Sequence, residues 1–518
     1  MALEKADLVL HEGGVFGHPE SDSVAILDGA ILAHGKFNGL KPLVGPRTHL
    51  VKLQGRAVAP GFIDSHLHFL EAASAHSGIS VWKSRTIPDL LADLRVAGGK
   101  IPPGNWLRAF GCDEALLREG RGPTREELDQ AVAKNPLRLR HSTLHASWLN
   151  SRAIAALGLE NPDFRSPEGG LIVRDASGRA TGLVAGMEEY LTRKLPLVTA
   201  AEAEARARLM SRELAATGVT SFTDATARND VDQVAFFGKL AASGAIAQRF
   251  SIMIGAEHAG AAQRAIAISR ENGFRIASVK FMPYSGSDLR IIARQMRDAI
   301  NNGLGCAFHA TEVEELDVAL QAIERAREEL GPEVNRRVTF RIEHGGLIPP
   351  EYPERIASSG AWIVTNPGFI YYRGAKYVQE PGLIPYTYRL RSLLDAGIAL
   401  AAGTDAPVTP ARPLSAISAA ASRVAIEGYE LEKAEKLDIP AAFGLFTSAG
   451  ARLAGLDAGS IEPGLLADLV VLSRDPLASK PAELMNINVD ITIVGGRIIY
   501  ERGRPAFAQS ASADLLSS

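Results

Sequence analysis

Cysteine is nearly absent from this sequence. The 518 residues include only Cys112 and Cys306, which lie far apart in the chain. This excludes a disulfide scaffold and a zinc site built from thiolates, so any metal must be held by histidine, carboxylate or a modified side chain. Such a low number of cysteines is typical of a protein in a reducing compartment, and we therefore expect a cytoplasmic protein.

Excess charge of one sign and long apolar runs are also missing. Lys and Arg together number 56 against 59 Asp and Glu, and the two signs are interspersed, which gives a formal charge of -3. The sequence has no basic face that would predict nucleic-acid binding. It also has no basic amphipathic helix that would predict binding to a membrane surface. The first apolar run is too short for a signal or membrane-spanning segment. We expect neither a nucleic-acid nor a membrane partner.

Both ends of the chain carry short strand-like runs. Residues 6–57 alternate such runs with turns, and similar runs return at 467–472 and 491–500. Neither end has enough strands to bury a sheet alone, so we predict that 1–57 and 455–518 form one composite β-sandwich domain. The small, polar tail from 506 to 518 is predicted to fray.

The middle of the chain, residues 58–454, alternates strand-like apolar runs with helical stretches. Eight runs favour a (β/α)8 TIM barrel, an α/β fold, over an open sheet. They are 58–64, 219–224, 250–255, 277–282, 305–309, 338–344, 361–365 and 398–403. The long gap after the first run predicts an insertion of about residues 72–200 that acts as a lid or pocket wall. It contains strand-like pieces at 106–110 and 136–144, and a helix over 201–217 follows it.

Candidate metal ligands collect where the predicted strands end, which is the functional face of such a barrel. In the motif PGFIDSHLH, alternation carries His66 and His68 to the same side just past strand one. The other candidates are Lys280 in strand four, His309 and His344 closing strands five and six, and Asp405 after strand eight. Each alone has a structural explanation, as an ion pair, a hydrogen-bonded histidine or a turn former. Six on one rim favour a shared metal site.

Four segments resemble the amidohydrolase superfamily. They are residues 60–68, 341–344 (RIEH), 402–408 (AGTDAPV) and 464–472 (GLLADLVVL). Two more, 145–150 (HASWLN) and 420–423 (AASR), resemble its amidohydrolase-3 (YtcJ-like) branch, so the similarity spans nearly the whole chain. The resemblance implies a metal-dependent hydrolase barrel beside a β-sandwich made from both termini. It also makes a homodimer a reasonable expectation.

The resemblance further implies two divalent ions and a bridge between them. The first ion takes His66, His68 and Asp405, the second takes His309 and His344, and Lys280 bridges them as a carbamate formed from CO2. The chemistry agrees, because an ammonium cannot ligate a cation whereas a carbamylated lysine presents a carboxylate. Zinc is the favoured ion, with manganese, iron and nickel as alternatives.

The predicted reaction is hydrolysis of a C–N bond in an amide, formamide or cyclic amide-like small molecule. The metals supply hydroxide and polarise the carbonyl, while Asp405 takes the proton of the water and passes it to the leaving nitrogen. An alternative holds one ion by His66, His68, His309 and Asp405 and uses His344 as acid or electrophile, which would suit a deaminase, esterase or decarboxylase. A non-catalytic scaffold is disfavoured, because no candidate ligand is missing.

Two departures from the family pattern lie beside predicted ligands. Ala-Thr-Glu-Val follows His309 where the branch has a Gly-Asp, and Phe-Met-Pro follows Lys280 where it has an Asp-Gly. These changes bear on the substrate and on the second metal site.

Aromatic and arginine side chains in the predicted loops are candidates for substrate binding. Aromatic rings can stack on a planar or apolar substrate, and arginine can bind a carboxylate through two bonds. Packing within loops and structural ion pairs are the alternative roles of these residues. The candidates are Trp82, His145, Tyr284, Tyr371, Tyr372, Arg373 and Arg423.

Overall fold

The structure is a computed structural model that describes residues 4–504 except 144, 162, 168, 196 and 197, and not the side chains of 77, 189 and 192. The predicted fraying of 506–518 and the end of the predicted strand at Leu144 lie outside the described residues. The chain divides into two compact units. The first comprises Met1–Leu67, Ser211–Asp405 and Ala411–Ser518, and the second His68–Met210 and Ala406–Pro410.

The strands, in chain order, are β1 (Leu8–His11), β2 (Gly14–Val15), β3 (Ser23–Leu27), β4 (Ala30–Gly35), β5 (His49–Lys52), β6 (Ala57–Pro60), β7 (Phe62–Leu67), β8 (Ile79–Ser80), β9 (Leu107–Cys112), β10 (Leu137–His141), β11 (Ala146–Leu149), β12 (Leu171–Arg174), β13 (Ala180–Ala185), β14 (Val219–Asp224), β15 (Arg249–Gly255), β16 (Arg275–Phe281), β17 (Gly305–Ala310), β18 (Phe340–His344), β19 (Trp362–Thr365), β20 (Leu400–Ala402), β21 (Leu469–Leu472), β22 (Val489–Val494) and β23 (Arg497–Glu501).

The helices are α1 (Phe37–Leu40), α2 (Phe69–Ser77), α3 (Ile87–Gly98), α4 (Arg125–Ala131), α5 (Ser151–Leu157), α6 (Glu188–Lys194), α7 (Ala200–Ala216), α8 (Val231–Ala242), α9 (Ala262–Glu271), α10 (Leu289–Asn301), α11 (Val313–Leu330), α12 (Val334–Arg337), α13 (Pro353–Ser359), α14 (Gly368–Tyr377), α15 (Arg391–Asp395), α16 (Pro413–Ser422), α17 (Ile439–Phe446) and α18 (Ser448–Ala454). Short 3-10 turns occur at Lys41–Leu43, Glu114–Leu116, Ala256–Ala261, Ile384–Tyr386, Lys433–Glu435 and Pro481–Asn486.

The first unit contains the predicted barrel. Eight parallel strands form one sheet in the order β20-β19-β18-β17-β16-β15-β14-β7, which confirms the predicted fold class. The two ends of this sheet meet where the N–H of Asp405 donates to the carbonyl of His66 at 2.8 Å. Gly403 allows this approach, because a Cβ at that position would lie 2.5 Å from the backbone nitrogen of His66. The segment after β20 is thereby held against the end of β7.

The first predicted barrel strand, 58–64, is wrong in its bounds, because the apolar run belongs to two strands. Ala57–Pro60 pairs antiparallel with β21, and Phe62–Leu67 pairs parallel with β14 in the barrel. The change of sheet falls at Gly61, where a Cβ would lie 2.3 Å from the side chain of Thr220. His66 therefore lies within a strand and not beyond its end.

Two further sheets in the first unit use strands from both ends of the chain. One has the order β4-β3-β1-β5, and the other has the order β2-β6-β21-β22-β23. Their facing sides share an apolar core that includes Leu10, Ile26, Val58, Leu469 and Val471. Strands from the two termini thus pack together as a β-sandwich, and the predicted borders of this domain stay a prediction.

The second unit corresponds to the predicted insertion. Its six-stranded sheet has the order β12-β13-β11-β10-β9-β8 and packs against helices α3, α4 and α5. The predicted strand pieces at 106–110 and 136–144 correspond to β9 and β10, and the helix predicted over 201–217 corresponds to α7. A role for this unit as a lid stays a prediction.

No described helix combines the length and apolar character needed to cross a membrane. The apolar segment 414–421, which lies in α16, is buried within the chain. Cys112 and Cys306 are each buried and free, and burial raises the pKa of both thiols.

Candidate metal centre

His66 is completely buried near the end of β7, and its ring is oriented by a carboxylate. Its Nδ1 lies 2.5 Å from Oε2 of Glu343, while its Nε2 lies 3.4 Å from Oδ1 of Asp405. Arg341 holds Glu343 in turn, with Nε and a terminal nitrogen donating to the two carboxylate oxygens at 2.7 and 3.0 Å. A carboxylate on one ring nitrogen fixes the tautomer and directs the other nitrogen toward a metal.

The charges around His66 stabilise this arrangement. Burial alone would raise the pKa of Glu343, but Arg341 and His66 lower it below its ordinary value. Burial and the charge of Lys280 act to lower the pKa of His66, yet the hydrogen-bonded carboxylates of Asp405 and Glu343 raise it overall. Glu343 is therefore an anion at neutral pH, and it accepts the Nδ1 proton of His66.

Asp405 is positioned by its backbone and by the preceding residue. It has a φ of +57°, in the left-handed region that Asp adopts more readily than most residues. Asp64 holds the preceding Thr404 by accepting its backbone N–H at 2.9 Å and its hydroxyl at 2.5 Å. Burial still raises the pKa of Asp64 to about 6. This set of bonds ties the segment bearing Asp405 to β7.

His309 and His344 face each other at the ends of neighbouring strands. In the parallel register His309 pairs with Glu343, so simple alternation would direct His344 away from them. His344 has a φ of +73°, which breaks the alternation, and its Nε2 lies 3.0 Å from Nδ1 of His309. The other ring nitrogen of His344 lies 2.7 Å from Oδ1 of Asn366. Asn366 therefore fixes which edge of His344 meets His309.

Both of these imidazoles are neutral at pH 7. Burial lowers the pKa of His309 well below its ordinary value, and the nearby His344 and Lys280 lower it further. Burial, followed by the charge of His66, lowers the pKa of His344 to about 3. Neutral imidazole is the form that binds a metal ion.

Lys280 is buried near the end of β16, and its Nζ has no hydrogen-bond partner among the described residues. Burial lowers its pKa to about 8, against the opposite effect of the carboxylates of Glu343 and Asp405. A buried cationic amine without a partner is costly, so this site calls for a group that neutralises or modifies it.

The donor atoms fit a metal ion. Two ligands of a tetrahedral zinc, each bound at about 2.0–2.1 Å, lie about 3.3 Å apart. His66 Nε2 and Asp405 Oδ1 are 3.4 Å apart, and His309 Nδ1 and His344 Nε2 are 3.0 Å apart. The ring centroids of His66 and His344 are separated by 4.8 Å, so the two ligand pairs adjoin. We call His66, Lys280, His309, His344 and Asp405 the barrel cluster.

His68 is the N-cap residue of α2 and belongs to the second unit. Its backbone N–H donates to the carbonyl of Ala406, of the same unit, at 2.8 Å. Its predicted place as a metal ligand stays a prediction.

The predicted substrate residues of the first unit differ widely in exposure. Tyr284 is 64% exposed after β16, whereas Tyr371 and Tyr372 are half-buried in α14, with their rings 4.9 Å apart. Arg373 lies over the ring of Phe369 at 5.6 Å, and that ring is parallel to the imidazole of His344 at 6.4 Å. Phe369 thus links Arg373 to His344 of the barrel cluster, and the predicted roles of Tyr284, Tyr371, Tyr372 and Arg373 with substrate stay predictions.

Arg423, which is predicted to bind a substrate carboxylate, also has a structural role. Its side chain is completely buried, and the guanidinium donates to the backbone carbonyls of Leu431, Tyr388 and Thr387 at 2.9, 2.7 and 3.1 Å. These bonds use three of the five N–H donors of the guanidinium, and the predicted contact of Arg423 with a substrate carboxylate stays a prediction.

Trp82 and His145 belong to the second unit. Trp82 is half-buried with its ring 6.2 Å from that of Phe110, and a Cβ at Gly111 would lie 2.6 Å from it. His145 is exposed, and its carbonyl accepts the N–H of Gly186 at 2.9 Å. Their predicted roles with substrate stay predictions.

Sequence reasoning missed the residues that orient the ligands. They are Asp64, Arg341, Glu343, Asn366 and Thr404. A signal was available, because Asp64 and Glu343 interrupt apolar strands and Asn366 directly follows β19. Residue types that can bind a metal do not by themselves indicate which buried polar side chains orient them.

Comparisons with known proteins agree with this geometry. A model of the amidohydrolase family matches residues 49–500. The chain belongs to the amidohydrolase family. It is 27% identical to an N-substituted formamide deformylase of Arthrobacter pascens, over 93% of this chain and 95% of that protein. It is 26% identical to the putative amidohydrolase YtcJ of Bacillus subtilis (strain 168), over 93% and 96% of the two chains.

A solved structure shows the same fold. An uncharacterized metal-dependent hydrolase from Pyrococcus horikoshii OT3 has a TM-score of 0.70 at 23% identity, covering 92% of this chain and 99% of that one. The amidohydrolase family membership and its predicted branch are thereby confirmed. This family member is a metal-dependent hydrolase that acts on carbon–nitrogen bonds.

Proposed function

We propose that the protein hydrolyses the C–N bond of a small amide, with N-substituted formamides as the first substrate class to test. The observation that carries the proposal is the barrel cluster, in which two pairs of ligand atoms adjoin around a buried lysine with no partner in the described chain. The likeness to a formamide deformylase over nearly the whole chain supports the choice of substrate.

The residues that would hold the metal are those predicted from the sequence. His66, His68 and Asp405 would bind one ion, His309 and His344 a second, and Lys280 would join them as a carbamate. Carbamate formation adds CO2 to the neutral amine and releases a proton, and the lowered pKa of Lys280 makes the neutral amine more abundant. Zinc suits imidazole and carboxylate ligands.

A divalent ion supplies Lewis acidity when bound, which lowers the pKa of water from about 16 to about 7 and polarises a carbonyl oxygen. The side chains then have separate tasks. Asp405 accepts a proton from the attacking water and delivers it to the leaving nitrogen, so that R–NH–CHO and H2O become R–NH2 and HCOOH. Glu343 and Asn366 keep His66 and His344 in the required orientations.

The test is formate release from N-phenylformamide by metal-loaded protein. N-Phenylacetamide serves as a matched substrate with one more methyl group. Formate release that stops in metal-stripped protein and returns with zinc supports the proposal. If neither amide is cleaved, the proposed formamide and small-amide substrates are wrong.

The alternative keeps one ion, with His344 as acid or electrophile, and directs the barrel toward deamination, ester cleavage or decarboxylation. The short separation of His344 and His309 is compatible with either arrangement. Counting the metal ions bound by His34→Ala protein and by His34→Ala, Lys280→Ala protein distinguishes the one-ion from the two-ion arrangement.

Location, assembly and domain borders complete the proposal. A cytoplasmic location is supported by the two buried, unbonded cysteines, and cell fractionation tests it. Light scattering on the purified protein tests the homodimer. Limited proteolysis tests the predicted borders of the composite domain, 1–57 with 455–518, and of the barrel, 58–454.

A further inference from the structure

A second group of metal-binding side chains lies in the β-sandwich, outside the barrel cluster. It consists of His18, after β2, His34, in the edge strand β4, and Glu462, after α18, and we call it the terminal cluster. One ligand atom of each residue lies within 4.8 Å of those of the other two. The three residues belong to the first unit but come from opposite ends of the chain.

The nitrogen and oxygen atoms of the terminal cluster are spaced like metal ligands. His18 Nε2 lies 3.5 Å from Oε1 of Glu462, and His34 Nε2 lies 3.9 Å from Oε2. These separations exceed the usual hydrogen-bond range of about 2.7–3.2 Å. The first is close to the spacing of about 3.3 Å between two ligands of a tetrahedral zinc, and the second exceeds it by about 0.6 Å. The two imidazoles, with centroids 3.9 Å apart, direct the same nitrogen toward one carboxylate.

The other nitrogen of each ring faces an oxygen atom. Nδ1 of His34 lies 3.1 Å from the hydroxyl of Ser21, whereas Nδ1 of His18 lies 3.8 Å from Oε1 of Glu20, which is too long for a hydrogen bond. Metal-binding histidines characteristically make a hydrogen bond like that of His34 with Ser21, which sets the tautomer and orients the ring. Ser21 is itself 5% exposed, and its backbone N–H donates to the carbonyl of His18, so it is a fixed support.

The backbone also holds Glu462 near the histidines. The N–H of Ile31 donates to the carbonyl of Leu465 at 2.8 Å, and the N–H of Gly464 donates to the carbonyl of Ile31 at 2.8 Å. The turn that carries Glu462 is therefore paired with β4, the strand that carries His34. The imidazoles are each 19% exposed and the carboxylate is 53% exposed, so an ion and its water ligands have access from solvent.

We propose that the terminal cluster binds a divalent late first-row metal ion, with zinc as the test ion, through His18, His34 and Glu462 and with water completing the coordination. Two imidazoles and a carboxylate form a donor set that zinc accepts. Because the ligands come from both ends of the chain, the bound ion would join the N-terminal and C-terminal parts of the β-sandwich. Its role is structural, and it is independent of the proposed function.

The test is zinc binding by the full-length protein after removal of metal with a chelator. Zinc content is measured by elemental analysis, and affinity by competition with a chromophoric chelator, for wild type, His34→Ala and Glu462→Gln. Wild type should retain one more zinc per chain than either variant, and its Tm should rise more on zinc addition. Ser21→Ala should keep the site but weaken its affinity by about 10- to 100-fold.

His49→Ala is the matched control, because His49 is an exposed histidine of the same β-sheet and outside the cluster. It should behave as wild type does. Far-ultraviolet circular dichroism of each variant shows whether it is folded. If folded His34→Ala and Glu462→Gln both bind as much zinc as wild type, with the same affinities, the terminal cluster is an ion pair without a metal and the proposal is overturned.

Discussion

The barrel cluster and the terminal cluster both combine imidazoles with a carboxylate, but their surroundings differ. In the barrel, His66 and His344 are 0% and 3% exposed, and their second ring nitrogens meet Glu343 and Asn366 in the interior. In the terminal cluster, the imidazoles are 19% exposed and the carboxylate opens to solvent. Burial excludes bulk water and strengthens electrostatic interactions, and both effects favour catalysis. The terminal cluster lacks this burial, so we expect its proposed ion to join the two termini and to take no part in the reaction.

Replacing Asp405, the proposed proton carrier, should give the largest difference in activity between variants of the two clusters. Asp405→Asn keeps the size of the side chain but removes its basicity, so we expect kcat for formamide hydrolysis to fall by about 10²- to 10⁴-fold. The measurement is formate release at saturating substrate, with zinc content determined on the same sample. Near-native turnover by Asp405→Asn would contradict the role of this residue.

Acid should destabilise the metal-stripped barrel. The pKa of His344 is 6.5 in the unfolded chain and about 3 in the folded one, so between these values the unfolded chain binds more protons. The contribution of His344 to the free energy of unfolding therefore rises with pH across this window, by up to on the order of 5 kcal/mol. Asp64 acts in the opposite direction between its unfolded pKa of 3.8 and its folded pKa of about 6. Urea unfolding at a series of pH values measures this.

A matched variant isolates the contribution of His344. His344→Gln should flatten the pH dependence of the free energy of unfolding between about pH 4 and 6.5. The buried His309 still contributes a pH dependence of the same sign. His34→Ala, outside the barrel cluster, is the control variant. A steep wild-type slope that His344→Gln does not reduce would show that other groups cause it.

Loss of the carboxylate that orients His66 should weaken metal binding in the barrel. Glu343→Gln removes the anion that accepts the Nδ1 proton and is expected to lower zinc affinity by about 10- to 100-fold. It also leaves Arg341 buried without its ion-pair partner, so Tm should fall as well. Zinc competition titrations check the first effect, and unchanged affinity in a folded variant would argue against the orienting role.

The smallest effect concerns activity after loss of the terminal cluster. Glu462→Gln alters a half-exposed side chain, and we expect kcat to change by less than about 2-fold even though one zinc is lost. The assay is the same formate release, run with zinc-loaded protein. A large loss of kcat at unchanged Tm would mean that the two clusters are coupled.

The sequence predicted the barrel well because its parallel strands are buried and appear as apolar runs. Seven of the predicted strands match the observed ones to within a few residues. The first does not, because one continuous apolar run serves two sheets and only the close contact of Gly61 with Thr220 reveals the break. A pattern of hydrophobicity contains no information about such a contact.

The candidate site was predicted in its residue types but not in its geometry. His344 meets His309 because its φ of +73° overrides strand alternation, and no sequence pattern predicts that angle. Glu343 orients His66 through a contact between two strands that are not neighbours in the sheet. The terminal cluster was missed entirely, since His18, His34 and Glu462 share no recognisable spacing and meet only when both termini fold together.

The most direct test of the barrel centre is elemental metal analysis of a His34→Ala protein beside a His34→Ala, Lys280→Ala protein, both purified without added metal. The shared background removes any ion at the terminal cluster, so the difference reports on Lys280. We predict nearly two ions per chain in the first sample and a sharp fall in the second. One ion per chain in both samples would contradict the bridged pair and favour the single-ion arrangement.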